Sequence, residues 1–233
     1  PVKSCVTRST TPLTPSLFAA FDRLGLMPTS FNWTPAEACR PFDVSREGMV
    51  LGEGAAMLVL ERDCDARRRG ARPLAEVAGY GATCDAKSHF HQDPSGCVAL
   101  RAIEVAVRAA GVTVGEIDYI TAHGTGTREN DPFEVSVLRR VLASRITDVP
   151  VSSSKGQLGH SLGAAGAMEV MAVIAGMRGE FAPMTANLRE PDPKCEVLHV
   201  IGDVRACRIR VALSTNFGFG ARNAALVLRG VGE

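Results

Sequence analysis

The 233-residue sequence has little that points to a metal site or a disulfide framework. Its seven cysteines are scattered without any Cys-x-x-Cys pair, and their odd number and spacing predict reduced thiols. His89 and His91 lie two residues apart, but no Cys or His pair follows at the spacing of a zinc site. Phosphate-loop and dinucleotide-binding glycine motifs are also missing. The sequence therefore predicts neither a metal nor a cofactor.

An excess of charge of one sign and long apolar runs are lacking too. The 26 lysines and arginines balance 25 aspartates and glutamates, which gives a formal charge of +1 and no indication of nucleic-acid binding. No apolar run reaches the length expected of a membrane span, and PVKSCVTRST has no signal-peptide core. These features predict a cytoplasmic protein with neither nucleic-acid nor membrane partners.

Apolar runs alternate with helical patterns along the chain, which predicts an α/β fold with a mixed sheet layered with helices. The helical patterns cover 16–27, 97–112, 131–145 and 161–179. Strand patterns cover 74–84, 117–122, 149–154 and two runs within 209–229.

Two segments share a glycine turn followed by an apolar strand: GMVLGEGAAMLVLER at 48–62 and NFGFGARNAALVLRG at 216–230. The first segment is interpreted as two short buried strands joined at the glycine turn. Repetition on this scale predicts that 1–71 form the end of one α/β half and 72–233 a complete second half.

Polar side chains and glycines follow three of the predicted strands. In layered α/β folds, ligands gather at the carboxyl ends of strands, so these three loops form the candidate site. A neutral imidazole at a helix start could donate a hydrogen bond to a developing oxyanion, and aromatics between glycines could form a movable gate. The candidate residues are His123, Thr125, Thr127, Lys155, His160, Phe217, Gly218 and Phe219.

The stretch GHSLG also matches the G-x-S-x-G pattern of serine hydrolases, with Ser161 as the nucleophile. That elbow requires a strand running directly into the motif, whereas KGQL intervenes here. Its partners would be Asp192 and His199, only seven residues apart. A helix-capping role for Ser161 is the simpler interpretation.

The motifs AHGTGT, SSSKGQLGHSLGAAGAMEV and NFGFG, in this order, resemble the second half of a β-ketoacyl synthase of the thiolase fold. RPFDVSREGMVLGEGAAMLVLE and PMTANLREPDP add to the resemblance, which runs from about Leu13 to the C-terminus. The sequence of these motifs is most similar to that of fatty-acid elongating enzymes and iterative type II polyketide enzymes. The resemblance implies a thiolase-like fold with a complete C-terminal half and a partial N-terminal half.

The resemblance also implies an activity. Such enzymes decarboxylate a malonyl group on acyl carrier protein, and the carbanion attacks an acyl thioester held on a cysteine. His123 and His160 would promote decarboxylation and stabilise the enolate. Lys155 would orient and charge the site through Glu134 or Glu169.

The remaining candidates are implied to bind the substrate arm. Thr125 and Thr127 would hydrogen-bond pantetheine. Phe219 would gate the pocket and contribute its backbone N–H to the oxyanion hole, with Gly218 beside it and Phe217 behind it.

Three departures from the family pattern modify this expectation. The family's nucleophilic cysteine lies upstream of the part matched here, and Cys5 lacks its sequence context. Ala221-Arg222 stands where the family usually has Gly-Thr, and Phe90 stands near a position that is commonly threonine.

We therefore expect an acyltransferase chain that is inactive alone, exposes apolar surface, and needs a missing N-terminal half or a partner chain carrying the cysteine. Acyl carrier protein is the expected substrate carrier, and a homo- or heterodimer the expected assembly. A non-catalytic pairing or carrier-binding subunit, using basic residues such as Arg67, Arg68 and Arg69, is the alternative.

Overall fold

The computed structural model describes the backbone of residues 4–231 and the side chains of residues 11–231. The helices are α1 (Pro15–Arg23), α2 (Asp63–Arg68), α3 (Cys97–Ala109), α4 (Asn130–Leu142), α5 (Lys155–Leu158) and α6 (Ala165–Gly179). The longer strands are β1 (Ser4–Thr11), β2 (Gly54–Glu61), β3 (Glu76–Cys84), β9 (Val211–Gly218) and β10 (Arg222–Arg229). The shorter strands are β4 (Tyr119–Thr121), β5 (Pro150–Ser152), β6 (Phe181–Ala182), β7 (Leu198–His199) and β8 (Arg205–Ala206).

The central sheet has six strands in the order β3-β10-β9-β4-β5-β7. β9, β4, β5 and β7 run parallel to one another, and β10 is antiparallel to both of its neighbours. The sheet is therefore mixed, which confirms the predicted α/β class.

Apolar side chains cover both faces of this sheet because successive residues of a strand point to opposite sides. Ile120 packs with α3 and α4 in the larger core cluster, whereas the adjacent Tyr119 packs with α6 in the second cluster. Helix α3 lies very close to β3, since a Cβ placed on Gly79 would lie 2.1 Å from the Ala106 carbonyl oxygen. Helices thus form the two outer layers around one sheet.

The sequence predicts two strands within 48–62, and this prediction is wrong for the first of them. Residues 48–53 form no strand beyond the single bridge of Leu51 to His160, and β2 pairs instead with β1, antiparallel from Ser4 opposite Glu61 to Thr11 opposite Gly54. The partner of β2 therefore lies some fifty residues upstream, where the sequence gives no matching turn signal. β9 and β10 do form the expected hairpin.

The expectation that no apolar run reaches the length of a membrane span is also wrong. The segment Leu162–Gly179 has a mean hydropathy of 1.2 over 18 residues, which meets the length and composition of a membrane span. Val170 and Val173 of this segment pack in the core cluster with Tyr119. Its helix α6 accordingly forms one layer of the fold in the same way as the core helices of many globular proteins.

Candidate active site

Three loops meet at one edge of the central sheet because β9, β4 and β5 are parallel neighbours. The loop after β4 carries His123, and α5 after β5 carries Lys155. His160 lies in the turn after α5, and its imidazole packs edge-on against that of His123 with 5.2 Å between ring centroids. Both imidazoles line a cavity of about 500 Å³.

The position of His160 depends on the N-terminal part of the chain. The backbone N–H of His160 donates to the Val50 carbonyl at 2.7 Å, and the backbone carbonyl of His160 accepts from the Gly52 N–H at 3.0 Å. Local sequence patterns do not show this pairing, because the two segments are more than a hundred residues apart.

Lys155 is almost completely buried and forms an ion pair with Glu169 of α6. The other oxygen of Glu169 accepts from Asn216 Nδ2 at 2.7 Å, and Asn216 Oδ1 lies 3.1 Å from His123 Nδ1. Lys155 Nζ itself lies 3.4 Å from the same Nδ1. Asn216 is not among the residues predicted from the sequence, although it begins the motif NFGFG at the end of a strand.

These contacts determine the hydrogen-bonding form of His123. Asn216 must direct its amide nitrogen to the Glu169 carboxylate, so its oxygen faces the imidazole at 3.1 Å and favours a proton on Nδ1. The Lys155 ammonium is farther from Nδ1, at 3.4 Å, and donates to Glu169. Nε2 is then a hydrogen-bond acceptor. Burial, followed by the charge of Lys155, lowers the pKa of His123 well below its usual value. The ring is therefore neutral at neutral pH.

His160 has the complementary form. Its Nδ1 accepts the N–H of Leu162 at 3.2 Å, which leaves Nε2 as the protonated donor. Burial and the charge of Lys155 lower the pKa of His160 to about 3. The neutral ring expected from the sequence thus has a different cause: burial and the charge of Lys155 account for it, and not a helix terminus.

Glu134 does not pair with Lys155, contrary to one of the two alternatives left open by the sequence. Its carboxylate accepts the N–H groups of His123 and Gly124 and the hydroxyl of Thr215, each at 2.7 Å. Burial raises the pKa of Glu134 to about 7. Glu134 therefore fixes the backbone of the His123 loop.

Thr125 and Thr127 are buried and line the cavity above the histidines. Their hydroxyl oxygens are 2.9 Å apart, and Asp131 accepts the N–H of Thr125 at 3.1 Å. Gly124 has φ +37°, and a Cβ there would lie 2.6 Å from the Ser153 Cβ. The motif HGTGT thus lets the loop lie directly against β5.

The two phenylalanines of NFGFG have different environments. Phe217 is buried and packs edge-on against Phe133 and His123. Phe219 is 44% exposed and lines the mouth of the cavity together with Gly218.

Comparison with known proteins relates this site to a family. Residues 6–66 match the model of the β-ketoacyl synthase N-terminal domain, and residues 74–189 match that of the β-ketoacyl synthase C-terminal domain. The chain belongs to the β-ketoacyl synthase family. It matches the C-terminal portion of its relatives, and the boundary at 71/72 stays a prediction.

The relatives include polyketide enzymes. The chain is 42% identical over 219 residues to the actinorhodin polyketide putative β-ketoacyl synthase 1 of Streptomyces coelicolor, covering 94% of this chain and 47% of that protein. The chain therefore spans about half the length of this curated relative.

Solved structures show the same fold. One, of a type II polyketide acyl carrier protein in complex with its hexaketide-bound ketosynthase AntDE, has a TM-score of 0.93 at 30% identity and covers 97% of this chain and 56% of that one. The ishigamide ketosynthase/chain length factor has a TM-score of 0.90 at 34% identity, and the match covers 99% of this chain and 55% of that one. The thiolase-like fold expected from the motifs is thereby confirmed.

The serine-hydrolase interpretation is not supported in this β-ketoacyl synthase chain. The Ser161 hydroxyl contacts the Met168 sulfur at 3.2 Å and makes no cap hydrogen bond, so the capping role expected from the sequence is also wrong. Asp192 pairs with Arg46, and His199 Nε2 bonds the Cys195 carbonyl. The three residues do not form a triad.

The candidate basic residues in and directly after α2 are exposed and form ion pairs within the chain. Arg67 pairs with Asp63 at 2.8 Å, Arg68 pairs with Asp65 at 2.7 Å, and Arg69 pairs with Glu61. These arginines therefore present paired charges. The side chain of Cys5 lies outside the described side chains.

Proposed function

We propose that the chain forms the malonyl-decarboxylating part of a β-ketoacyl-[acyl carrier protein] synthase, which condenses a malonyl thioester with an acyl thioester. One observation carries the proposal: two neutral imidazoles, His123 and His160, lie edge-on at 5.2 Å beside the buried Lys155–Glu169 ion pair. Hydrogen-bond donors in a dry site stabilise developing negative charge without a cost of reorganisation.

The proposed chemistry begins with decarboxylation. The bond between the malonyl carboxylate and the α-carbon breaks, CO₂ leaves, and the electron pair forms an enolate. The Nε2–H of His160 supplies a hydrogen bond to the enolate oxygen, and the positive charge of Lys155 favours the anion. The α-carbon then attacks the carbonyl carbon of the cysteine-bound acyl thioester, a C–C bond forms, the cysteine thiolate departs, and the β-ketoacyl chain remains on the carrier that held the malonyl group.

The acyl thioester requires a nucleophilic cysteine. Among the residues that the structure describes, no cysteine lines the cavity. Cys39 lies nearby with its Sγ 2.8 Å from the Lys155 carbonyl, but burial raises the pKa of its thiol to about 11, so it is not a thiolate at neutral pH. We therefore assign the cysteine to the other half of the protein or to a partner chain, and expect the chain alone not to condense.

The proposal assigns the substrate arm to Thr125 and Thr127, which line the same cavity as the two histidines. Exposed Arg128 follows them in the sequence and also lines the cavity. The structural relative that holds an acyl carrier protein supports a carrier-bound substrate, and the ketosynthase/chain length factor supports a paired assembly. A polyketide substrate, a dimer and a cytoplasmic location belong to the same proposal.

A non-catalytic carrier-binding subunit is less well supported. Its proposed arginines, in and directly after α2, are exposed and each form an ion pair within the chain, and a subunit of that kind has no need for two neutral imidazoles beside a buried ion pair.

The proposal can be tested by complementation. The purified chain is incubated with an acyl thioester and malonyl-acyl carrier protein, with and without an added cysteine-bearing N-terminal half, and adducts and products are located by mass spectrometry. We expect no adduct on the chain alone, and a β-ketoacyl product with the added half that His160→Ala abolishes. An acyl adduct on Ser161 or Cys5, or a complex of both halves without product, would contradict the proposal.

A further inference from the structure

Three phenylalanines from separate parts of the chain meet at the mouth of the cavity. Phe219, in the turn between β9 and β10, packs on Phe21 of α1 with 5.9 Å between ring centroids. It also meets Phe90 edge-on, with 5.8 Å between ring centroids. All three rings line the cavity.

The two contacts of Phe219 are unequal. Phe21 is buried and packs with Met49 and Leu51 in a core cluster, so it offers a fixed surface. Phe90 is 54% exposed, and it lies in the segment between β3 and α3. Phe219 is itself 44% exposed, so its contact with Phe90 joins two partly exposed rings, whereas its contact with Phe21 reaches the core.

The backbone joins the same two segments. The Gly220 N–H donates to the His89 carbonyl at 2.7 Å, next to Phe90, and the Asp85 N–H donates to the Ala221 carbonyl at 3.0 Å. Asp85 also accepts from Asn223 Nδ2 at 2.7 Å at the start of β10. The turn that carries Phe219 is therefore attached to the Phe90 segment directly after the gate residue.

The conformation of this turn is disfavoured for its sequence. Ala221 has φ +52°, in the left-handed region that residues with a Cβ rarely occupy, and its side chain is fully buried. A strained turn persists only where its surroundings hold it in place.

We propose that Phe90 is a positioning residue that holds Phe219 across the cavity mouth and so sets how readily the mouth opens. The inference rests on the proposed function for the identity of what enters, a malonyl or acyl thioester on a pantetheine arm. The closed state, in which Phe219 contacts Phe21 and Phe90, is inferred from these ring contacts and from the Gly220–His89 hydrogen bond. A substrate arm must separate Phe219 from Phe90 on entry, and a small residue at position 90 removes that barrier.

Amide hydrogen exchange of segment 217–222 tests the closed state without any ligand. Phe90→Thr is expected to accelerate exchange of the Gly220 amide by about threefold to tenfold, the factor that corresponds to the loss of one aromatic pair. Phe90→Tyr, which keeps the ring, should retain the wild-type rate. Phe18→Thr is the matched control, because Phe18 is a similarly exposed phenylalanine of α1 that does not line the cavity.

Exchange in Phe90→Thr within twofold of the wild-type rate, or equal acceleration in Phe18→Thr, would overturn the proposal. A circular dichroism spectrum and a urea unfolding curve for each variant separate local opening from loss of the fold.

Binding kinetics of malonyl-pantetheine test the consequence for entry. Phe90→Thr should raise the association and dissociation rates together by a similar factor and leave Kd nearly unchanged, because a gate changes the barrier on both sides. A changed Kd caused by a faster dissociation rate at an unchanged association rate would identify Phe90 as a direct substrate contact and overturn the positioning role. If malonyl-pantetheine binds none of the proteins, the proposed function fails, whereas the exchange result still decides the role of Phe90.

Discussion

At the scale of single residues, burial and then the charge of Lys155 lower the pKa of both histidines and leave them neutral. Glu169 compensates the charge of Lys155 inside the fold. Asn216 connects Glu169 to His123. The arrangement is one connected network, so removal of a single member affects the others.

Removal of Lys155 alone should destabilise the fold strongly. Lys155→Met leaves Glu169 buried without its ion-pair partner, which typically costs about 3–5 kcal/mol. The double variant Lys155→Met/Glu169→Leu should recover much of this loss, because no charge is then buried unpaired. Urea unfolding of the wild type, both single variants and the double variant measures the effect. The expectation would be contradicted if the double variant lost as much unfolding free energy as the two single variants together, or more.

His160 should make the fold sensitive to acid. Its pKa is about 3 in the folded protein, below the unfolded value of about 6.5, so the folded state favours the neutral ring. The resulting stability is present above pH 6.5 and is lost as the pH falls towards 3, at up to about 1.4 kcal/mol per pH unit. His160→Gln, which cannot take up a proton, should show a shallower loss of unfolding free energy between pH 6 and 4.

The wild type must be compared with His160→Gln because Glu134 changes the pH dependence of stability in the opposite direction. Its pKa, raised to about 7, means that stability falls as the pH rises from 4.5 to 7. This contribution is the same in both proteins and cancels in the difference. Parallel stability curves for the wild type and His160→Gln across this range would refute the expected effect.

At this scale the sequence predicted which side chains meet, but not how they are connected. His123, Lys155 and His160 could be selected because each follows a buried strand or a short turn at a strand end. Asn216 and the choice of Glu169 over Glu134 could not, because they depend on the direction of individual side chains across three loops. The cause of the neutral His160 depends on burial, which no local motif encodes.

At the scale of secondary-structure elements, periodic patterns located the long helices and strands. Helix α3 was expected at 97–112 and observed at Cys97–Ala109, and β9 and β10 form the expected hairpin. The segment 48–53 was assigned wrongly because its extended backbone pairs with the His160 turn instead of forming a hairpin with β2. Pairing between distant segments has no local sequence signal.

The contact of α3 with β3 should tolerate no side chain at Gly79. Gly79→Ala would place a Cβ 2.1 Å from the Ala106 carbonyl oxygen, so the helix must move away from the sheet. Overpacking of this kind costs about 1–3 kcal/mol or more. Gly115→Ala is the matched control, since its Cβ would lie 3.5 Å from Thr113 Oγ1, an ordinary contact. Equal thermal midpoints for the two variants would show that α3 does not lie so close to β3.

At the scale of the whole molecule, the apolar side chains on the outer face of β2 remain uncovered. Met57 and Val59 are 65% and 64% exposed, and they point to the same side of the strand because they lie two residues apart. The intervening Leu58 instead packs against the core cluster with Tyr119. Exposed apolar surface was expected from the sequence, and this chain spans about half the length of its relatives.

We therefore expect this face to contact the cysteine-bearing half that the proposed function requires. Met57→Lys/Val59→Lys is expected to leave the fold intact, since both side chains are exposed, and to weaken complementation by the N-terminal half at least about tenfold, because two lysines would be buried without partners. Binding measured by titration calorimetry and β-ketoacyl product formation measured by mass spectrometry report the two effects. Val204→Lys, at a valine that is 49% exposed, controls for added charge. Complementation equal to that of the control would place the contact with the other half on a different face and leave β2 without this role.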